Sequence, residues 1–374
     1  MQVTRRDFVW LSAFALASSC SSRKQSGFPG YALIATSGDK SLAAVDLANF
    51  QTLSPIPLDS EPSAVLPGGP GGTVYVLTPK TGNVHSISSG LKHLGQSKLS
   101  EELISMVLSG SGKSLLAISP QHLIETDTRT LHVLRRVPLP STPSYLTAWG
   151  DYVAISLARA GIVQLIQLRT GKTWSVQLGG PLGSLKFRDD GKLLVAANLG
   201  NRELAALTVP ELQVVATLPL AMEPRNLCAN SDGGQLFVSG DGMDGVAIVF
   251  PYRILEIDQT VLAGRDPGVM AASASPDLLF VGSDSGTDVC ILNIDTRKVV
   301  GIVDVGQRPT FITITPDNQF ALILNEASDD MAVVRVSTIR LNPAIVISKS
   351  GASLFTMLSV GTKPVHAAVI PKAA

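Results

Sequence analysis

The stretch from Pro267 to Pro309 reads P-G-V-M-A-A-S-A-S-P-D-L-L-F-V-G-S-D-S-G-T-D-V-C-I-L-N-I-D-T-R-K-V-V-G-I-V-D-V-G-Q-R-P, and weaker copies of it recur through most of the chain. Each copy contains short apolar strands separated by polar turns, and one strand begins at or near a proline. Pro224, Pro267 and Pro309 follow one another at intervals of 43 and 42 residues. A period of this length with several strands per copy predicts a β-propeller.

The number of repeats follows from two independent features of the sequence. Repeat starts lie at Pro62, Leu103, Pro143, Leu182, Pro224, Pro267, Pro309 and Pro364. Apolar second strands lie at 31–36, 74–78, 115–119, 152–157, 193–198, 236–239, 279–282 and 320–325. Both counts favour one closed all-β propeller with eight four-stranded blades. Seven blades is the alternative, if the irregular region around Leu103 or the insertion Leu341–Leu354 forms no blade.

The two ends of the repeat array are expected to share one blade. Residues 31–58 begin at a second strand, whereas residues 364–371 supply a first strand with nothing after it. Pairing these pieces would close the ring and remove exposed sheet edges. The propeller domain is therefore expected to span residues 31–371.

The N-terminus carries an export pattern. Arg5 and Arg6, followed by an apolar run, match a twin-arginine signal. Cys20 follows Ala17-Ser18-Ser19, which looks like a lipobox, although ordinary cleavage after Ala17 is the competing interpretation. We expect a signal over residues 1–20, a flexible tether over 21–30, and a location in the periplasm or cell envelope. Any membrane contact would use a lipid on Cys20.

Composition limits the classes of partner. The chain has 30 basic and 30 acidic residues and a formal net charge of zero. Proteins that coat nucleic acid need a basic excess, so no nucleic-acid partner is predicted. A monomer is expected. Cys228 and Cys290 lack the spacing of a metal site and are expected to be small buried residues, with a disulfide as the alternative.

Two segments carry a family resemblance. Residues 194–201 and 299–306, with Pro309 after the second, resemble the YVTN-type propeller repeat. The resemblance covers about residues 31–371 and is strongest after residue 182. It implies an extracytoplasmic propeller of the group that includes surface-layer proteins, lactonase-like proteins and the haem-binding propellers of nitrite reductases. The haem-binding members use histidines near the propeller axis, and in this chain only His366 follows a repeat-start proline.

Charged residues beside the repeat-start prolines form the candidate site. Because the loop into each first strand opens on one rim of the channel, these positions should converge. With His366, the candidate ligand-binding residues are Glu61, Glu223, Arg225, Arg265, Asp266, Arg308 and Lys363. The basic members favour an anion such as a carboxylate, a phosphate or an acidic protein loop. The alternative is that they pair with acidic neighbours and join the blades.

Other motifs predict no chemistry. The turn at 110–114 contains Gly-Lys-Ser but lacks the earlier glycine of a phosphate loop. Acidic turns at 241–244, 284–288 and 326–330 lack the ligand spacing of calcium loops and are expected to be solvated turns. No catalytic residue, metal or cofactor is predicted, so the sequence gives catalysis no support but does not exclude it. We expect a binding or scaffold module for a small anionic ligand or an envelope protein. A lactonase-like hydrolase and a haem or redox module are the alternatives.

Overall fold

The computed structural model describes residues 27–251, 255–341 and 354–372, and these form eight antiparallel sheets of four strands each. The predicted signal, with Arg5, Arg6 and Cys20, lies outside the described residues. Regular helix within the described ranges is limited to four short 3₁₀ turns at Pro70–Gly72, Pro79–Thr81, Ala158–Ala160 and Val336–Thr338. In the same ranges, no helix has the length and apolar character that crossing a membrane requires.

Each sheet is one blade, and its four strands follow one another from the propeller axis outward. Blade 1 contains β32 (Pro364–Pro371), β1 (Gly30–Thr36), β2 (Ser41–Asp46) and β3 (Gln51–Pro57). Blade 2 contains β4 (Ala64–Leu66), β5 (Val74–Thr78), β6 (Asn83–Ile87) and β7 (His93–Lys98). Blade 3 contains β8 (Ser105–Leu108), β9 (Ser114–Ile118), β10 (His122–Asp127) and β11 (Val133–Pro138). Blade 4 contains β12 (Tyr145–Trp149), β13 (Tyr152–Leu157), β14 (Ile162–Gln167) and β15 (Thr173–Gln177).

The second half of the chain repeats the same order. Blade 5 contains β16 (Leu182–Phe187), β17 (Leu193–Asn198), β18 (Glu203–Thr208) and β19 (Val214–Pro219). Blade 6 contains β20 (Glu223–Ala229), β21 (Leu236–Asp241), β22 (Gly245–Pro251) and β23 (Leu255–Leu262). Blade 7 contains β24 (Pro267–Ala274), β25 (Asp277–Ser283), β26 (Asp288–Asn293) and β27 (Lys298–Asp304). Blade 8 contains β28 (Pro309–Ile314), β29 (Phe320–Asn325), β30 (Asp330–Arg335) and β31 (Leu354–Ser359).

The innermost strands close a ring, which confirms the prediction of an eight-bladed propeller. Each innermost strand contacts the innermost strand of both neighbouring blades, from β4 around to β32 and back to β4. The closure also takes the predicted form, since β32 from the C-terminal end pairs with β1, with Tyr31 opposite Ile370. Lys372 then places its Nζ 2.9 Å from the Asp46 carboxylate, which ties the end of the chain to β2.

The core consists of apolar layers between adjacent blades. One layer joins Phe280 and Ile291 of blade 7 to Ile323 and Val334 of blade 8, and all four are buried. Every residue of β29 is buried, because a second strand is covered by the blades on both of its faces. Full burial of one such large apolar side chain contributes about 1.5–3 kcal/mol. This burial is the physical reason why second strands are continuous apolar runs in the sequence.

Two classes of loop meet at one end of the ring, which we call the upper rim. It consists of the loops that join consecutive blades and the turns between the second and third strands of each blade. Backbone hydrogen bonds join the two classes: the Asp284 amide donates to the Asp266 carbonyl over 2.9 Å, and the Glu326 amide donates to the Arg308 carbonyl over 3.0 Å. Both classes therefore contribute side chains to the same surface.

Three residues of the upper rim share an uncommon backbone conformation. Asp266, Arg308 and Lys363 each precede a repeat-start proline and have φ values of 44°, 58° and 52°. Positive φ is rare outside glycine, so contacts from the surrounding structure must maintain it. In blade 8, the Asp329 carboxylate accepts the Lys363 amide over 2.8 Å. The shared conformation gives these three side chains equivalent starting positions around the rim.

Candidate functional site

A cavity of about 280 Å³ lies in the central channel, and we call it the channel cavity. The innermost strands of blades 4 to 8 form its wall. Its lining residues are Tyr145, Ser184, Arg225, Asn226, Leu227, Cys228, Val269, Met270, Phe311 and Ile312. The wall is thus mainly apolar, and Arg225 is the single ionised side chain among these residues. Such a wall can hold an apolar ligand body while one cation fixes its orientation.

Arg225 is held at the channel cavity by two carboxylates. Its Nη2 lies 2.5 Å from Oδ2 of Asp241 and 3.4 Å from Oε1 of Glu223. The Arg225 side chain remains 52% exposed, and exposed ion pairs of this kind contribute about 0–1 kcal/mol. The Arg225 carbonyl accepts a hydrogen bond from Oγ of Ser184 over 3.0 Å, which fixes the backbone at this point. The guanidinium is therefore oriented but still accessible to a ligand.

His366 belongs to the same channel wall. It lies on β32, its ring centroid is 4.1 Å from that of Phe311, and its Nδ1 accepts the Val65 amide over 3.3 Å. Burial lowers the pKa of His366 to about 4, so the imidazole is neutral at pH 7. Of the five histidines in the chain, His366 alone lies on an innermost strand. A haem-binding role would therefore depend on this one imidazole as a ligand.

Two more of the predicted rim residues are ion-paired. Nζ of Lys80 lies 2.8 Å from Oε2 of Glu61, and this pair lowers the pKa of the Glu61 carboxyl. Nη1 of Arg308 lies 3.3 Å from Oε2 of Glu326. In each case the loop into a blade pairs with the second-to-third strand turn of that same blade. The sequence left open the alternative that charged rim residues pair with acidic neighbours and join adjacent blades. Both of these ion pairs form within a single blade and do not join two blades.

Arg265 and Lys363 differ from Arg225 and Arg308, the other two basic residues that the sequence predicts at the rim. Both are exposed, and neither has an ion-pair partner within residues 27–251, 255–341 and 354–372. Asp266, next to Arg265, is held by local hydrogen bonds: its amide donates to Asp244 and its carboxylate accepts from Ser285. Of the basic residues predicted at the rim, Arg265 and Lys363 are therefore the two without an ion-pair partner, and they lie on the same rim as the cavity-lining Arg225.

Sequence reasoning missed the acidic side of the upper rim. Asp241 is the last residue of β21, and Asp284 and Glu326 lie in the turns that follow β25 and β29; the sequence pattern predicts all three segments only as solvated turns. The pKa of Asp284 is raised, first by partial desolvation against the channel mouth and then by the neighbouring Asp241 carboxylate, while Arg308 and Arg225 oppose the rise. Their position at the rim could have been predicted from the strand order, because in a four-stranded antiparallel blade the second-to-third strand turns lie at the same end as the loops between blades.

The lining residues contain no activated nucleophile. Cys228 is one of the lining residues and packs against the apolar layer between blades 6 and 7; burial raises the pKa of its thiol to about 11, so it is almost entirely protonated at pH 7. Cys290 is buried on β26, and both cysteines are free. Among the described residues, no group of three or more His, Cys, Asp or Glu side chains is placed to hold a metal ion.

Comparisons with known proteins agree with the fold. No family model matches the chain. One curated relative, "Seven-bladed beta-propeller protein Rv1057" from Mycobacterium tuberculosis, is 27% identical over 141 residues, which is 35% of this chain and 34% of that protein. The match therefore spans about a third of the relative's length. That protein's name specifies seven blades, whereas the described residues of this chain form eight.

Solved structures resemble the chain over most of its length. The dihydro-haem d1 dehydrogenase NirN in complex with DHE has a TM-score of 0.74 and 14% identity, covering 91% of this chain and 75% of that chain. A putative 6-phosphogluconolactonase from Bacteroides fragilis has a TM-score of 0.60 and 17% identity, covering 93% of this chain and 99% of that chain. At these identities the likeness shows the fold alone. The chain is a β-propeller protein with eight blades.

Proposed function

We propose that the protein is a non-catalytic binding module that takes a small organic anion into the channel cavity. The observation that carries this proposal is the position of Arg225, the one ionised side chain in a wall that also contains Tyr145 and Phe311. An acid group would bind the guanidinium while an apolar body contacts the aromatic rings. Arg265 and Lys363, which are exposed on the same rim, would attract anions toward the opening.

The size of the cavity narrows the class of ligand. Typical small-molecule sites enclose about 300–1,000 Å³, and this cavity lies at the lower limit of that range. A monocarboxylate with one ring or a short aliphatic chain is therefore favoured over a large cofactor. Benzoate is a suitable probe, and benzamide is its neutral counterpart with nearly the same shape.

Calorimetric titration with these two probes tests the proposal. A hydrogen bond to a charged group contributes about 1.5–3 kcal/mol, which corresponds to roughly 10–100-fold in affinity. We expect benzoate to bind more tightly than benzamide, and Arg225→Gln to weaken benzoate by at least tenfold. Arg159→Gln is the matched control, because Arg159 is an exposed arginine in the second-to-third strand turn of blade 4 that does not line the cavity.

Two results would count against an anion site in the channel. One is equal binding of benzoate and benzamide by the wild-type protein. The other is an Arg225→Gln variant that binds benzoate as tightly as the Arg159→Gln variant does. An envelope protein that presents an acidic loop to the same rim would compete with benzoate, and competition would identify that partner as a ligand of the channel.

The same proposal includes location. The twin-arginine pattern and Cys20 support export and attachment to a membrane by an N-terminal lipid. Labelled palmitate should be incorporated into the wild-type chain and not into a Cys20→Ala variant. Recovery of the unlabelled wild-type chain in the soluble periplasmic fraction would contradict the lipid attachment while leaving the channel proposal intact.

A further inference from the structure

Three side chains form a continuous hydrogen-bonded row between blades 1 and 2. Asp59 lies in the loop that joins the two blades, His85 lies on β6, and His93 begins β7. Nε2 of His85 lies 2.7 Å from Oδ1 of Asp59, and Nδ1 of His85 lies 3.0 Å from Nε2 of His93. This row is separate from the channel cavity, because its two histidines lie on the outer two strands of their blade.

The partners of His85 determine which of its nitrogens carries the hydrogen. The Asp59 carboxylate also accepts a hydrogen bond from Nδ2 of Asn83 over 2.6 Å. The Asp59 carboxylate can only accept, so Nε2 of His85 donates to it. The lone pair of the neutral His85 ring is then on Nδ1, and it is directed at His93.

We infer that Nδ1 of His85 and Nε2 of His93 together bind a divalent late transition-metal ion, zinc or copper. Zinc–nitrogen bonds are about 2.0–2.1 Å long, which places two imidazole nitrogens of a tetrahedral site about 3.3 Å apart. The two nitrogens are 3.0 Å apart in the structure, so a movement of a few tenths of an ångström would admit the ion once the His93 ring carries its hydrogen on Nδ1 instead of Nε2.

The position of Asp59 is an independent reason for this assignment. A histidine that binds a metal ion almost always donates its other ring N–H to a carboxylate or carbonyl, which orients the ring and increases its basicity. Asp59 makes this contact with His85, and its negative charge offsets part of the charge of the ion.

Access and selectivity follow from the surroundings. His85 is 1% exposed and fixed, whereas His93 is exposed and can adjust to an incoming ion. The site supplies two imidazoles, so water or a ligand would complete the coordination. Imidazole nitrogen favours zinc, copper and nickel, whereas calcium and magnesium require oxygen ligands.

Titration of the full chain, purified without a histidine tag, tests the inference with Zn²⁺ and Cu²⁺ as probes. The wild-type protein should bind one ion per chain, and the electron paramagnetic resonance spectrum of bound Cu²⁺ should show coupling to imidazole nitrogen. His93→Gln should weaken binding by at least tenfold, and Asp59→Asn should weaken it by about 10–100-fold. His132→Gln is the matched control, since this exposed histidine lies in blade 3.

His93→Gln is the decisive variant because its side chain is exposed and its loss should leave the fold intact. Equal Zn²⁺ affinity in His93→Gln and in wild type would overturn the inference, as would a wild-type protein that binds no Zn²⁺ or Cu²⁺ above the level of a His85→Gln, His93→Gln double variant. A role of the row in stability alone predicts a lower melting temperature without any change in metal binding, and that result would also reject the site.

Discussion

Arg225 and Asp241 lie on adjacent strands of blade 6, and the Arg225 guanidinium is 2.5 Å from the Asp241 carboxylate. The pair lies at the channel mouth, where Arg225 also lines the cavity. Asp241 therefore orients the cation that we propose to bind the ligand, and it also competes with any anion for that cation. The affinity of the site is expected to reflect both effects.

Replacement of Asp241 distinguishes its two effects, which are to orient the Arg225 guanidinium and to compete with the ligand for it. Asp241→Asn keeps a hydrogen-bond acceptor beside Arg225 but removes the negative charge, so benzoate should bind more tightly. Since an exposed pair contributes about 0–1 kcal/mol, the expected gain is up to about fivefold. Calorimetry at low ionic strength measures it, because salt screens exposed charges. Weaker benzoate binding in Asp241→Asn would mean that this pair is needed chiefly to position Arg225.

His366 makes stability depend on pH in a defined direction. Its pKa in the folded state is about 4, whereas an unperturbed histidine has a pKa of about 6.5. Below pH 6.5 the unfolded chain takes up a proton that the folded chain does not, so stability falls as the pH decreases from about 6.5 to 4. The loss in the free energy of unfolding that His366 causes over this range is at most roughly 3 kcal/mol.

Urea unfolding at pH 7 and pH 4.5 tests this contribution by comparing wild type with His366→Gln. Glutamine can still accept the Val65 amide but does not titrate, so the variant should lose less stability than wild type over this range. Other groups titrate in the same range, and the difference between the two proteins isolates His366. An identical pH dependence in both would show that burial does not suppress protonation of His366.

Cys228 provides a chemical probe of the channel cavity. In a Cys20→Ala background, its reaction with a disulfide reagent should accelerate about tenfold per pH unit between pH 8 and pH 10, because its pKa of about 11 keeps the thiolate scarce. Saturating benzoate should slow the reaction, and Cys228→Ser should abolish it since Cys290 is buried. A rate that levels off near pH 8.5, or that benzoate leaves unchanged, would contradict this description of the cavity.

The C-terminal strand should be required for folding. Deletion of residues 364–374 removes β32, which leaves the inner edge of β1 unpaired and eliminates the ion pair between Lys372 and Asp46. We expect the truncated protein to lose cooperative thermal unfolding and to aggregate. Deletion of only the last two residues is the control and should unfold like wild type. A stable, compact protein after the longer deletion would contradict ring closure through this strand.

The fold could be predicted from the sequence because each blade has the same pattern of buried apolar strands, and this pattern repeats along the chain. The predicted bounds of β5 and β13 match the structure, since second strands covered on both faces become uninterrupted apolar runs. The pairing of Arg225 with Asp241 could not be predicted. It depends on the register between β20 and β21, which shifts between Pro224 and Asn226, and such irregularities leave no clear mark in one sequence.

The row of Asp59, His85 and His93 could not be predicted for a related reason. His85 and His93 lie in an early, degenerate repeat, and neither is expected at the channel. Their contact depends on the pairing of β6 with β7 and on a register shift between Ser86 and Ile87. Asp59 reaches His85 because the loop between blades lies at the same rim as the turn after β5. The spacing of Asp59, His85 and His93 along the sequence does not by itself predict that these side chains are in contact.

The most direct test of the proposed anion site is a crystal structure of the full chain with 4-bromobenzoate. The account predicts an anomalous bromine peak within the channel cavity, near Met270 and Phe311, with the carboxylate in contact with Arg225. The peak should be absent from crystals of Arg225→Gln prepared in the same way. A bromine peak at another surface, or a channel without the ligand at a concentration that saturates binding in solution, would contradict the proposal.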